Sequence, residues 1–269
     1  MQNETEVDKY KWLTPDFYSK AYDKFVRLYW KHDPFPNETP NLHLHPDDYR
    51  FSSREQEKTP GFFFGQGLFE LSTMHLVGQI NEFYSDIIKL MVWEKILAEY
   101  ENESQKLHLI VEFIEPLVTS CLTVPYALKN QIIFAGTQIA ILLEKNVAMK
   151  IPENHEIKFS AFKKWAGTWP EFTTVEIALT KLSEKEFNSY FRHRFTHQMP
   201  PRIEIGLTAN YRFSREGKFL KIQGGNEPPL PLSKAIELSL EQHKICIETF
   251  KAFWTMLKTK LAENKKSEA

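Results

Sequence analysis

The sequence predicts an all-α protein, an antiparallel helical bundle with one small β-hairpin inserted after a motif-bearing helix. Three observations predict it. Apolar residues recur at helical spacing along most of the 269 residues. Glycine is scarce, at 10 residues, about half of ordinary usage. Strict two-residue alternation, the signature of a half-buried strand, occurs only over 203–213. The 42% hydrophobic content suffices for a sizeable core. The chain reads as one domain: an N-terminal helix and proline-rich loop over 1–61, a bundle core over 62–197, a hairpin and linker over 198–231, and a C-terminal helix over 232–262.

The elements follow in order. Thr14-Pro15 opens the first helix, threonine as the cap and proline at the first position, where its missing N–H costs nothing. Phe17, Ala21, Phe25, Leu28 and Tyr29 form its apolar face. Residues 32–61 carry five prolines and read as loop. A long helix is predicted from Gly67 to Tyr100, a second over Gln105–Ser120, and a third over Pro125–Val147. The third is apolar nearly all round between Ile132 and Leu143, which marks a buried helix. Phe62-Phe63-Phe64 reads as the start of the core, with partner contact as the sharper alternative. The pattern weakens over 152–180, where Lys158–Trp165 reads as a short helix that Trp169-Pro170 breaks.

Ser183-Glu184-Lys185-Glu186 is a capping box whose helix must stop at Pro200-Pro201. The alternation Ile203, Ile205, Leu207, Ala209, Tyr211, Phe213 then gives a strand, Ser214–Gly217 a turn, and Lys218–Ile222 a returning strand. The last helix begins at Ser233 with Ile236, Leu240, Ile247, Phe250, Trp254 and Leu257 as anchors, and Asn264–Ala269 should fray.

Composition excludes several classes. Neither GxGxxG nor GxxxxGK[ST] occurs. A net charge of −1 argues against coating nucleic acid by bulk charge. Cys121 and Cys246 form no CxxC and read as small core residues in a reducing compartment. Met1–Glu6 is polar and acidic, unlike a signal peptide. The longest uncharged apolar-rich run, Asn130–Leu143, has 14 residues, short of the roughly 18 that span a bilayer. A cytoplasmic protein without membrane association is expected.

The densest functional cluster is Phe191-Arg192-His193-Arg194-Phe195-Thr196-His197. Residues 192–221 hold seven Lys or Arg and two Glu, a local basic surplus in a nearly neutral chain. Arg192, His193 and His197 match R-[N/D/H]-x3-H, and the chain here resembles the HEPN (higher eukaryotes and prokaryotes nucleotide-binding) superfamily, as a stand-alone, bacterial-type member. Composition yields about 0.3 chance matches to R-x4-H and about 0.03 once Asn, Asp or His must follow the arginine. Arg27–His32, with Leu28 after the arginine, is the loose, coincidental kind. The resemblance covers the motif helix and more loosely the helices over 67–197. It implies a compact helical bundle, metal-independent RNA cleavage with no cofactor, Arg192 and His197 as the catalytic pair with His193 between them, and a site completed across a homodimer. It also implies toxin–antitoxin or defence roles, hence an RNA or nucleotide ligand and an antitoxin protein as partners.

The residue types suit that chemistry. Cleavage through the neighbouring 2′-OH needs a proton acceptor, a proton donor and a counter-charge for the phosphorane. Histidine titrates near neutrality, and arginine stays cationic and forks onto phosphate. Arg192 and His197 point about 140° apart on an ideal helix, so a distorted last turn, a wrapping arginine or a second subunit must bring them together. His193 and Arg194, four and three residues before His197, are its natural neighbours and serve as supporting residues. Arg202, Arg212, Arg215, Lys218 and Lys221 are the candidates for holding the RNA backbone.

Blander readings stand beside these. A basic helix end can simply complement the helix dipole. His193 and His197 have metal-ligand spacing, but HExxH and a third nearby ligand are missing, so no metal is expected. His43, His45, Asp47 and Asp48 read as packing within a proline-rich loop. The competing functional class is a non-catalytic helical module that binds a nucleotide, RNA or protein; a ligand-free scaffold is the third.

Overall fold

The computed structural model describes residues 13–31, 42–49, 62–145, 158–182, 211–216, 219–224 and 231–267. These residues are mostly helical, an all-α architecture. The helices are α1 (Pro15–Lys31), α2 (Phe62–Leu97), α3 (Glu103–Leu109), α4 (Glu115–Lys145), α5 (Phe159–Ala166), α6 (Phe172–Lys181) and α7 (Leu232–Ser267). Two short strands, β1 (Tyr211–Glu216) and β2 (Phe219–Gly224), pair antiparallel. The predicted motif helix that opens at Ser183 lies outside the described residues.

Local chemistry explains the helix ends. The Thr14 hydroxyl accepts the Phe17 N–H at 3.3 Å, capping α1 ahead of Pro15. Asn102 caps α3 the same way, its Oδ1 accepting from the amides of Ser104 (2.9 Å) and Gln105 (3.2 Å). α2 starts five residues before the predicted Gly67 and ends three before Tyr100. α7 continues to Ser267, past the expected fraying point. Ala262, Glu263, Lys265 and Lys266 are good helix formers.

Two sequence expectations are corrected. The break between the second and third predicted helices does not exist: helix runs from Glu103 to Lys145, with Pro125 inside it. Proline removes one N–H and crowds the carbonyl four residues back, yet Pro125 is buried, and burial of that face outweighs one lost bond. The disturbance falls earlier, in a π-helical turn at Ile110–Ile114 that hands over to α4 through a Glu115 N–H to Ile110 carbonyl bond. Pro116 follows at once; it has no N–H for the Glu112 carbonyl, and a widened turn relieves the clash. The second correction is α6, absent from the sequence reading. Its ten residues include Thr173, Thr174, Val175 and Ile177, β-branched types that mute the helical signal.

An 18-residue window within Glu103–Glu144 reaches a mean hydropathy of 1.6 with no more than two charges, and 28% of it is buried. By length and composition it could cross a membrane; the core helix of a soluble protein passes the same test.

The chain divides into two compact units. The first comprises residues 1–36, 85–119 and 201–237. Its core is a run of near-parallel rings: Phe25 on Trp93 (centroids 4.9 Å apart), and Trp93 on Phe113 (4.6 Å). Polar tips close the edges, with Tyr29 Oη 2.8 Å from Ser85 Oγ, Tyr18 Oη 3.3 Å from His108 Nδ1, and a Lys24–Glu99 ion pair.

The second unit comprises 37–84, 120–200 and 238–269. Its buried apolar side chains include Leu76, Ile80 and Phe83 of α2, Ile132 and Ile139 of α4, Phe162 of α5, Phe172 and Leu179 of α6, and Phe250 and Phe253 of α7. Gly136 lets α5 approach closely, since a Cβ there would stand 2.4 Å from the Phe162 ring. The Thr249 hydroxyl bonds back to the Ile245 carbonyl (2.7 Å) and reaches that of Ala178 (3.4 Å), tying α7 to α6.

Candidate functional site

Arg192, His193, Arg194, His197, Arg202 and Lys218 lie outside the described residues. Of the basic candidates, Arg212 and Arg215 stand on β1 and Lys221 on β2. The strand register sorts them. Arg212 is opposite Gln223, Ser214 opposite Lys221 and Glu216 opposite Phe219, so these six positions share one face of the ladder. Tyr211, Phe213 and Arg215, opposite Gly224, Ile222 and Leu220, share the other. Arg212 and Lys221 therefore belong to a mainly polar face, and Arg215 to a mainly apolar one. A single-residue alternation separates cations that look alike in the sequence.

His43 and His45 lie on the segment that leads into a short 3-10 turn, Pro46–Tyr49. The His45 Nδ1 is 3.8 Å from Asp47 Oδ2, both well exposed. Among the described residues no three His, Cys, Asp or Glu side chains gather as metal ligands. Leu44 is buried beneath this segment, and Asn81 of α2 clasps its backbone: Oδ1 accepts the Leu44 N–H and Nδ2 donates to the Leu44 carbonyl, each at 2.9 Å. Tyr49 sets its ring edge-on to Phe250 (4.9 Å) and Trp254 (5.8 Å) of α7. The loop is thus a packed strap across α2 and α7, in line with the packing reading. Cys121 and Cys246 are both buried, and burial pushes the Cys246 thiol far up. Phe62–Phe64 form the first turn of α2. Arg27 lies exposed on α1; His32 is outside the described residues.

Two polar arrangements in the second unit escaped the sequence reading. At the first, the Glu144 carboxylate accepts the Trp169 indole N–H at 3.1 Å and lies 3.2 Å from Lys260 Nζ, while Lys260 stands 5.4 Å above the Trp169 ring. The indole bond first, and the lysine after it, hold this carboxyl below its usual range. The second is His243 on α7, fully buried, stacked on Tyr84 (5.1 Å) and edge-on to Phe83 (5.6 Å). Neither ring nitrogen makes a hydrogen bond of ordinary geometry. Helical spacing could have flagged it: His243 is seven residues from Ile236 and from Phe250, within the apolar stripe of the last helix.

Searches against protein-family models, curated proteins and solved structures return no match.

Proposed function

We propose that the chain is a HEPN-type, metal-independent endoribonuclease that works as a homodimer, its helices forming an antiparallel bundle with the β1–β2 ladder inserted after the motif helix. The observation that carries the reading is the hexapeptide Arg192-His193-Arg194-Phe195-Thr196-His197; the all-α character of the described residues is what such a bundle requires. Two copies of His197 around one phosphate supply a base and an acid. One takes the proton from the 2′-OH as its oxygen attacks the adjacent phosphorus. The other protonates the departing 5′ oxygen, leaving a 2′,3′-cyclic phosphate and a 5′-hydroxyl. Arg192 balances the extra negative charge of the phosphorane, and His193 and Arg194 orient the pair. Arg202, Lys218 and the polar ladder face with Arg212 and Lys221 track the RNA backbone, and Arg215 serves the opposite face. An acidic protein covering this basic segment would silence it, as an antitoxin does.

Full-length protein incubated with RNA in EDTA tests the reading. The wild type should cleave, and His197→Ala and Arg192→Ala should each lose at least about 100-fold in rate. A folded, dimeric wild type that cleaves no RNA overturns catalysis. RNA binding without cleavage would select the non-catalytic module instead.

A further inference from the structure

Among the described residues of the second unit, the His243 imidazole has no exposure and no hydrogen bond of ordinary geometry on either nitrogen. A ring in that position is tolerable only while neutral, because a cation there would lack water and would have only the poorly aligned Ile80 carbonyl as an acceptor. The strap over 42–49 packs on the same two helices. It is clasped by Asn81 of α2, close in sequence to the Phe83 and Tyr84 rings that face His243, and by Phe250 and Trp254 farther along α7. His43, next to the clasped Leu44, is near enough for its charge to act on His243.

We propose that this arrangement is an acid-operated latch: a proton on His243, joined by one on His43, releases the 42–49 strap from α2 and α7.

Among the described residues, the groups that bear on the ring are few. The strap contributes His43; α2 contributes the Tyr84 phenol and the Ile80 carbonyl; Glu241 and Lys244, its neighbours on α7, are exposed. The Ile80 carbonyl favours the proton, but burial first, and the His43 charge after it, hold His243 down at about 4. His43 itself is lowered by burial and by His45. An unfolded or opened chain takes up the His243 proton near 6.5, so the closed state is fully favoured above that value. It loses ground as the pH falls from 6.5 toward 4. Of the elements around the ring, the strap is the shortest, eight residues tied to α2 by the Asn81 clasp and to α7 by the Tyr49 ring, so it gives way before the long helices part.

Amide hydrogen exchange on the full chain between pH 7.5 and 4.5 tests this. After correction for the intrinsic rate, exchange over 42–49 should rise by up to about tenfold per pH unit below 6.5, while α7 amides stay protected. His243→Phe keeps a ring of similar size but takes no proton, and should abolish the rise. A strap whose exchange is insensitive to pH, or equally sensitive in His243→Phe, overturns the proposal. Should that variant not fold, the NMR titration of the wild-type ring decides. Protonation that coincides with strap exchange supports the latch, and protonation without it overturns it.

Discussion

Glu171, with φ 63° and ψ 1°, is the only non-glycine among the described residues in the left-handed region. It caps α6 after the turn that Trp169 and Pro170 make, and its carboxylate accepts a 3.2 Å bond from the Thr174 hydroxyl. Its carbonyl accepts the Val175 N–H, a bond that any residue there would keep. An L side chain in this region costs about 1–2 kcal/mol, and glycine is free of that cost but loses more chain entropy. Glu171→Gly should therefore stabilise the protein by about 0.5–1 kcal/mol in a urea titration; a lower midpoint would contradict the argument. His243 gives the opposite kind of prediction. The drop from 6.5 to about 4 corresponds to about 3 kcal/mol of stability that is complete above pH 6.5 and gone by pH 4. At this scale the sequence was partly legible. Thr14-Pro15 announced a cap because capping is local chemistry. Glu171 and His243 were silent, because a dihedral angle and a missing partner depend on tertiary packing.

At the scale of elements, the α4–α5 contact depends on one missing methyl group. Gly136→Ala drives a Cβ into the Phe162 ring, which is fully buried and itself edge-on to Phe172. Overpacking of this kind costs about 1–3 kcal/mol. Combining it with Phe162→Leu should cost less than the sum of the single changes; strict additivity would show that the two do not touch. The Glu144–Trp169–Lys260 group joins α4, the turn before α6, and α7. Glu144→Ala leaves a buried indole N–H unpaired. It should cost about 1 kcal/mol, a modest figure because the carboxylate is 41% exposed. Because the folded carboxyl titrates below its ordinary value, its contribution is present above pH 4.5 and fades as the pH falls further. The long helices were readable from period alone. The continuity of Glu103–Lys145 was not, since a rule against internal proline is local and the burial that overrides it is not. The ladder makes a functional prediction: Arg212→Ala and Lys221→Ala should each lower the salt dependence of RNA binding by about one counter-ion, while Arg215→Ala should leave it unchanged. An equal effect from all three would contradict the assignment of faces.

For the whole molecule, an all-α architecture followed from scarce glycine and helical spacing, and the helices of both units bear it out. Their division into two compact units has no counterpart in composition, because α2, α4 and α7 each contribute to both without a break in pattern. Near-neutral charge conceals the basic segment 192–221, which is where function is proposed. The catalytic reading rests on a motif whose residue types suit 2′-OH chemistry, and that chemistry leaves a fingerprint on its products. The most direct test is analysis of the RNA ends generated by the full-length protein in EDTA. The account predicts 2′,3′-cyclic phosphate and 5′-hydroxyl ends that disappear in His197→Ala. Ends bearing 3′-hydroxyl and 5′-phosphate, or cleavage that persists in His197→Ala, would contradict it.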